Sequence, residues 1–154
     1  MRYVHTNLIA KNWRSLSLFY QKVFGCKPVP PERDLKGAWL ERLTGMPDAH
    51  IVGEHLRLPG YDDAGLTLEI FSYDTSTSGE PKLNLHGFSH IAFEVENVAD
   101  TVKLLLSEGG ELVGEIVSRE YETLGTGTFA YAKDPEGNII EVQSWKKHKE
   151  SSAE

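Results

Sequence analysis

The chain has 154 residues and a net charge of -7, from 16 basic against 23 acidic side chains, and this balance argues against a nucleic-acid binder with a clustered basic face. No apolar run approaches the ~20 residues of a membrane span, and the opening MRYVHTNLIAKNW lacks the apolar core and cleavage site of a secretion signal. Cys26 is the single cysteine, which excludes an intramolecular disulfide, a redox pair and a thiolate zinc site. The expectation is a cytoplasmic enzyme or binding protein that needs no metal in order to fold, since a chain of this size buries roughly 68–70% of its unfolded surface.

In chain order, Tyr3 to Ala10 alternates with β-rich residues and reads as a strand. Asn12 is a plausible helix cap. Leu16, Phe19, Tyr20, Val23 and Phe24 follow it at three- and four-residue steps, which stripes one face of a helix that Gly25 then stops. Cys26 to Pro30 reads as a short extended piece. GAWLERLTG, with Trp39 and Leu40, suggests a short extra helix, either a lid or a plain surface excursion. His50 to Leu58 and Leu66 to Tyr73 are two further strands.

The order then repeats. Phe88 to Val95 is a strand, and Asn97 caps a helix carrying Val98, Val102, Leu105 and Leu106 that ends at Gly109 and Gly110. Leu112 to Ser118, Thr128 to Lys133 and Asn138 to Trp145 are strand candidates, the last two joined by the turn sequence DPEG. The scheme is βαβββ twice. It predicts an α+β fold of tandem modules, 1–75 (with an insertion at about 28–49) and 84–146, followed by a solvated tail at 147–154. His50, His55 and His86 are expected to be structural.

Two segment pairs carry the duplication. GLTLEIFSY from Gly65 matches GNIIEVQSW from Gly137, and VHTNLIA from Val4 matches SHIAFEV from Ser89. Each half therefore supplies one histidine and one glutamate: His5 and Glu69, then His90 and Glu141. Side chains alternate between strand faces. Modules packed side by side would curl their equivalent strands into a mixed sheet around a trough, with all four side chains pointing into it. Two imidazoles and two carboxylates suit a divalent first-row ion, and the lack of thiolates disfavours a closed structural zinc site. An acidic residue inside LTLEIF is otherwise costly to bury.

HTNLIAKNWRSLSLFYQKVFG, SHIAFEV and DPEGNIIEV resemble the vicinal oxygen chelate superfamily over residues 3 to 145. That group includes glyoxalase I, methylmalonyl-CoA epimerase, extradiol dioxygenases, and fosfomycin and bleomycin resistance proteins. The resemblance implies that His5, Glu69, His90 and Glu141 ligate one divalent ion (Ni, Co, Zn, Mn or Fe), and that a carboxylate of the site moves a proton next to a chelated carbonyl. Glu141 is the first choice for that base and Glu69 the second. It also implies a homodimer acting on a small-molecule substrate, with no nucleic-acid or membrane partner.

The complete His/Glu/His/Glu set is most similar to glyoxalase I and implies a lyase or isomerase. The alternatives are an extradiol dioxygenase-like oxidoreductase, and a binding or resistance protein or thiol transferase on the same scaffold. Where glyoxalase I carries an arginine toward the glutathione carboxylate, four residues after its first histidine, this chain has Ile9. Where epimerases often carry an amide, it has Glu69.

Overall fold

The structure, a computed structural model, describes residues 1–147, so the tail expected beyond Lys147 lies outside the described residues. It divides into two compact units, Met1–Gly79 and Glu80–Glu154. Each unit is a four-stranded mixed sheet with one principal helix, so the chain is an α+β protein of tandem modules.

The first unit runs β1 (His5–Ile9), α1 (Trp13–Phe24), β2 (Lys27–Lys36), α2 (Ala38–Thr44), β3 (His50–Arg57) and β4 (Thr67–Tyr73). The sheet order is β1-β4-β3-β2, with β1 parallel to β4 and the other neighbours antiparallel. The Asn12 side chain caps α1 by accepting from the Ser15 amide at 3.1 Å, and Gly25 ends it in the left-handed conformation at φ 69°. The apolar stripe of α1 packs on β3 and β4. Leu16, Tyr20, Leu56, Leu68 and Ile70 are at most 1% exposed there and form the core.

The extended piece expected at Cys26 to Pro30 is longer than the sequence indicates. Strand β2 continues to Lys36, and Pro30 and Pro31 fall where its pairing with β3 shifts, between Val29 and Arg33. Proline lacks the amide hydrogen of a regular ladder, so an irregular edge strand is where it is tolerated. The insertion proper is thus confined to residues 37–49, and it holds α2. Gly45 closes α2 at φ 69°. Leu40 is buried in a second small cluster with Ala49, Ile51 and Phe71, flanked by Leu35 and Tyr73.

The second unit repeats the plan as β5 (His90–Glu94), α3 (Val98–Ser107), β6 (Glu111–Tyr121), β7 (Gly125–Lys133) and β8 (Ile139–Lys146), in the order β5-β8-β7-β6. Asn97 caps α3 through the Asp100 amide at 3.0 Å. Val98, Val102 and Leu105 pack with Ala130, Ala132, Ile140 and Val142 as its core. The DPEG turn is fixed by Asp134, whose carboxylate accepts from the Glu136 amide at 2.9 Å and from the Asn138 amide at 3.0 Å. Residues 122–124 alone join β6 to β7, so no counterpart of α2 exists here.

Candidate metal centre

Alternation along β4 sends Leu68 and Ile70 to the helix side and Glu69 to the open face. Glu69 is 12% exposed, and its Oε2 lies 3.4 Å from His5 Nε2 on the neighbouring parallel strand. Asn7, its register partner on β1, donates from Nδ2 to the same oxygen at 3.3 Å. In the second unit Glu141 takes the equivalent place on β8. It is 17% exposed, with Oε2 at 3.0 Å from His90 Nε2. Each unit therefore brings together the histidine and glutamate that the duplication had paired.

These separations suit a metal. Donors bound at right angles about 2.1 Å from an ion stand about 3 Å apart, close to both His–Glu distances. The nitrogen and oxygen donors are those of a divalent first-row site. Among the described residues no group of three or more His, Cys, Asp or Glu is gathered to hold a metal. Each unit offers a pair.

Two neighbours of the pairs carry no obvious sequence signal. His55, expected to be structural, faces Glu69 across the β3–β4 ladder, with Nε2 at 3.0 Å from Oε1. Burial lowers its pKa, opposed by the charge of Glu69 and reinforced by Arg33 and His5. A neutral imidazole that donates to the carboxylate fits this setting. Tyr131 occupies the same register position opposite Glu141, so its phenol faces that carboxylate across the ladder. Burial raises the Tyr131 pKa first and the Glu141 charge second, which keeps the phenol protonated as a donor. Glutamate on the last strand, opposed by a polar ring on the strand before, is thus a feature of both units.

Other candidates separate from this chemistry. The Cys26 thiol is buried and pushed up to about 12, too high for a thiolate nucleophile. His50 lies between Asp34 at 2.8 Å and Asp74 at 2.9 Å, so both ring nitrogens are engaged. Trp39 stays exposed on α2 while Leu40 is buried beneath it, so the extra helix packs on its own sheet.

A model of the "Glyoxalase/Bleomycin resistance protein/Dioxygenase superfamily" matches residues 2–142. The chain belongs to that superfamily. Among solved structures, a glyoxalase family protein from Bacillus cereus is 21% identical, with 94% of each chain covered and a TM-score of 0.78. A glyoxylase/bleomycin resistance protein/dioxygenase domain from Frankia is 16% identical, covering 95% of this chain and 98% of that one, with a TM-score of 0.62. A fosfomycin resistance protein from Listeria monocytogenes is 17% identical, covering 95% and 94%, with a TM-score of 0.61. These likenesses establish the glyoxalase-superfamily fold. No curated protein matches the sequence. Among the described residues no helix is long and apolar enough to cross a membrane.

Proposed function

We propose that the chain is a divalent-metal-dependent lyase or isomerase of the glyoxalase I-like type, moving a proton next to a chelated carbonyl of a small substrate. The observation that carries this reading is the repeated His–Glu pair, at 3.4 Å in one unit and 3.0 Å in the other, on equivalent strands. His5, Glu69, His90 and Glu141 would hold the ion, each unit contributing one pair. When bound, the metal supplies Lewis-acid polarisation of the carbonyl, which acidifies the adjacent carbon.

The chain's own groups then divide the proton work. Three side chains restrain Glu69: His5, Asn7 and His55. One contacts Glu141, His90, while Tyr131 faces it across the ladder. Glu141 is the less encumbered carboxylate and serves as the base that takes the proton, with Glu69 as the second candidate. A neutral His55 holds Glu69 in place by donation. The small-molecule substrate is bound by a homodimer, an assembly checked by analytical ultracentrifugation.

Metal analysis followed by a screen of hemithioacetals, acyl-CoA thioesters and catechols tests the proposal. One nickel, cobalt, zinc or manganese ion per four-residue set, with turnover of a carbonyl substrate, is expected. Oxygen-sensitive ferrous iron with catechol cleavage would replace this reading by the dioxygenase alternative. The Glu141→Gln variant, which keeps an oxygen donor, is expected to hold metal more weakly and, at saturating metal, to bind ligand but lose on the order of 10²–10⁴ in kcat. Unaltered turnover would remove Glu141 as the base.

A further inference from the structure

Beyond the His–Glu pairs the two open faces finish differently. In the first unit the stretch after Glu69, Phe71 and Tyr73, packs in the cluster anchored by Leu40 of α2. In the second unit the corresponding residues after Glu141 are Gln143 and Trp145. The helix of that unit, α3, packs through the opposite side of the sheet, and no insertion replaces α2.

Three aromatic rings gather at this end, over which no helix lies among the described residues. Phe129 and Trp145 meet edge to face at 5.3 Å between centroids, and Tyr121 stands 5.4 Å from Trp145 and 6.4 Å from Phe129. Gly127, opposite Trp145 in the ladder, makes room for them. A Cβ there would come within 2.4 Å of the Phe129 ring and 3.1 Å of Trp145. All three rings remain half-buried. Arg119 is also opposite Gly127, and its guanidinium carbon lies 5.2 Å from the Tyr121 ring centre. Among the described residues it pairs with no carboxylate.

We propose that Tyr121, Phe129, Trp145 and Arg119 form a binding subsite for a planar aromatic ring that carries an anionic group. The subsite deepens the proposed function and rests on it, because the ring would belong to the substrate received at the His90–Glu141 end of the same face. At about 3.3 Å per residue, the Phe129 row lies about 7 Å from the Glu141 row and the Trp145 row about 13 Å. The substrate class is therefore an aryl compound whose chelating oxygens and ring are separated by a short spacer. Edge-to-face and offset contacts favour an aromatic over a saturated ring. A carboxylate on Arg119 gains a charge-assisted hydrogen bond. Glu94 and Glu96 line a cleft with Trp145 and Lys146, whereas Arg119 stands three strand spacings from β5, about 14 Å, so these carboxylates turn the anion toward β6.

Full-length protein labelled with 5-fluorotryptophan gives three ¹⁹F signals, for Trp13, Trp39 and Trp145, the last assigned by Trp145→Phe. Cinnamate is expected to shift the Trp145 signal saturably. Cinnamamide, which lacks the charge, and 3-cyclohexylpropanoate, which lacks the planar ring, are each expected to bind about tenfold more weakly. Arg119→Gln is expected to erase the preference for cinnamate over cinnamamide while leaving zinc affinity unchanged. Equal binding of all three probes, or shifts confined to Trp13 and Trp39, would overturn the subsite. So would a Trp145 signal that changes with protein concentration alone, which would make this face a contact between copies. Titrations with and without zinc separate the two readings. Cinnamate binding by a chain that takes up no zinc sinks the proposed function alone, and zinc uptake with indifference to cinnamate sinks the subsite alone.

Discussion

At Gly53, strand β3 leaves no room for a side chain against β4. A Cβ added there would stand 2.1 Å from the Ile70 carbonyl oxygen and 2.5 Å from the Phe71 ring, and the backbone contact cannot be relieved by a rotamer change. Gly53→Ala is expected to destabilise the protein by about 3 kcal/mol or more, as overpacking against backbone does, measured by urea denaturation. His50 gives the contrasting, titratable case. Hydrogen bonds that His50 donates to Asp74 and Asp34 raise its pKa above 6.5, and the contact with Asp34 lowers that of Asp34. The raised imidazole value means that its stabilisation is complete below pH 6.5 and is lost as pH rises through the folded value. The lowered carboxylate value means that the Asp34 share is present above pH 3.8 and is lost as pH falls through its folded value. An NMR titration should place the His50 midpoint above 6.5, and His50→Gln should remove that segment of the Tm–pH profile. The four proposed ligands were legible in the sequence because the duplication repeats them. His55 and Tyr131 were not, because their roles arise from the ladder register opposite Glu69 and Glu141, and neither lies in the repeated segments.

The helices were the most readable elements. Asn12 and Asn97 both cap as the sequence suggests, and replacing either by Ala is expected to cost about 1 kcal/mol, with the two losses additive because they lie in separate units. Strand β2 was only half readable, since Pro30 and Pro31 look like an end and instead sit in an irregular edge. Helix α2 was foreseen as an element but its footing was not. Leu40, at 2% exposure, ties it to Ile51 and Phe71. Leu40→Ala is expected to cost 2–5 kcal/mol by the usual loss for a buried leucine. The loss should fall on the 37–49 segment, which limited proteolysis would read as new cleavage there.

At the scale of the molecule, the order of elements and their twofold repetition followed from the matched His and Glu segments, and the superfamily fold bears it out. The difference between the halves was readable as an insertion holding a short extra helix. Its structural meaning, an open face that α2 packs against in one unit and that carries an aromatic cluster in the other, required the packing of α2.

The histidines His5 and His90 are each the first residue of a five-residue strand, and β1 and β5 each lie at an edge of their own sheet, paired on one flank among the described residues. Such short marginal strands fray, and each fraying event would carry an imidazole away from its glutamate. A coordinated ion would therefore act as a clasp, converting local opening into loss of a bond to metal. Zinc loading is expected to slow hydrogen–deuterium exchange at Thr6 to Ile9 and Ile91 to Glu94 far more than in α1 or α3.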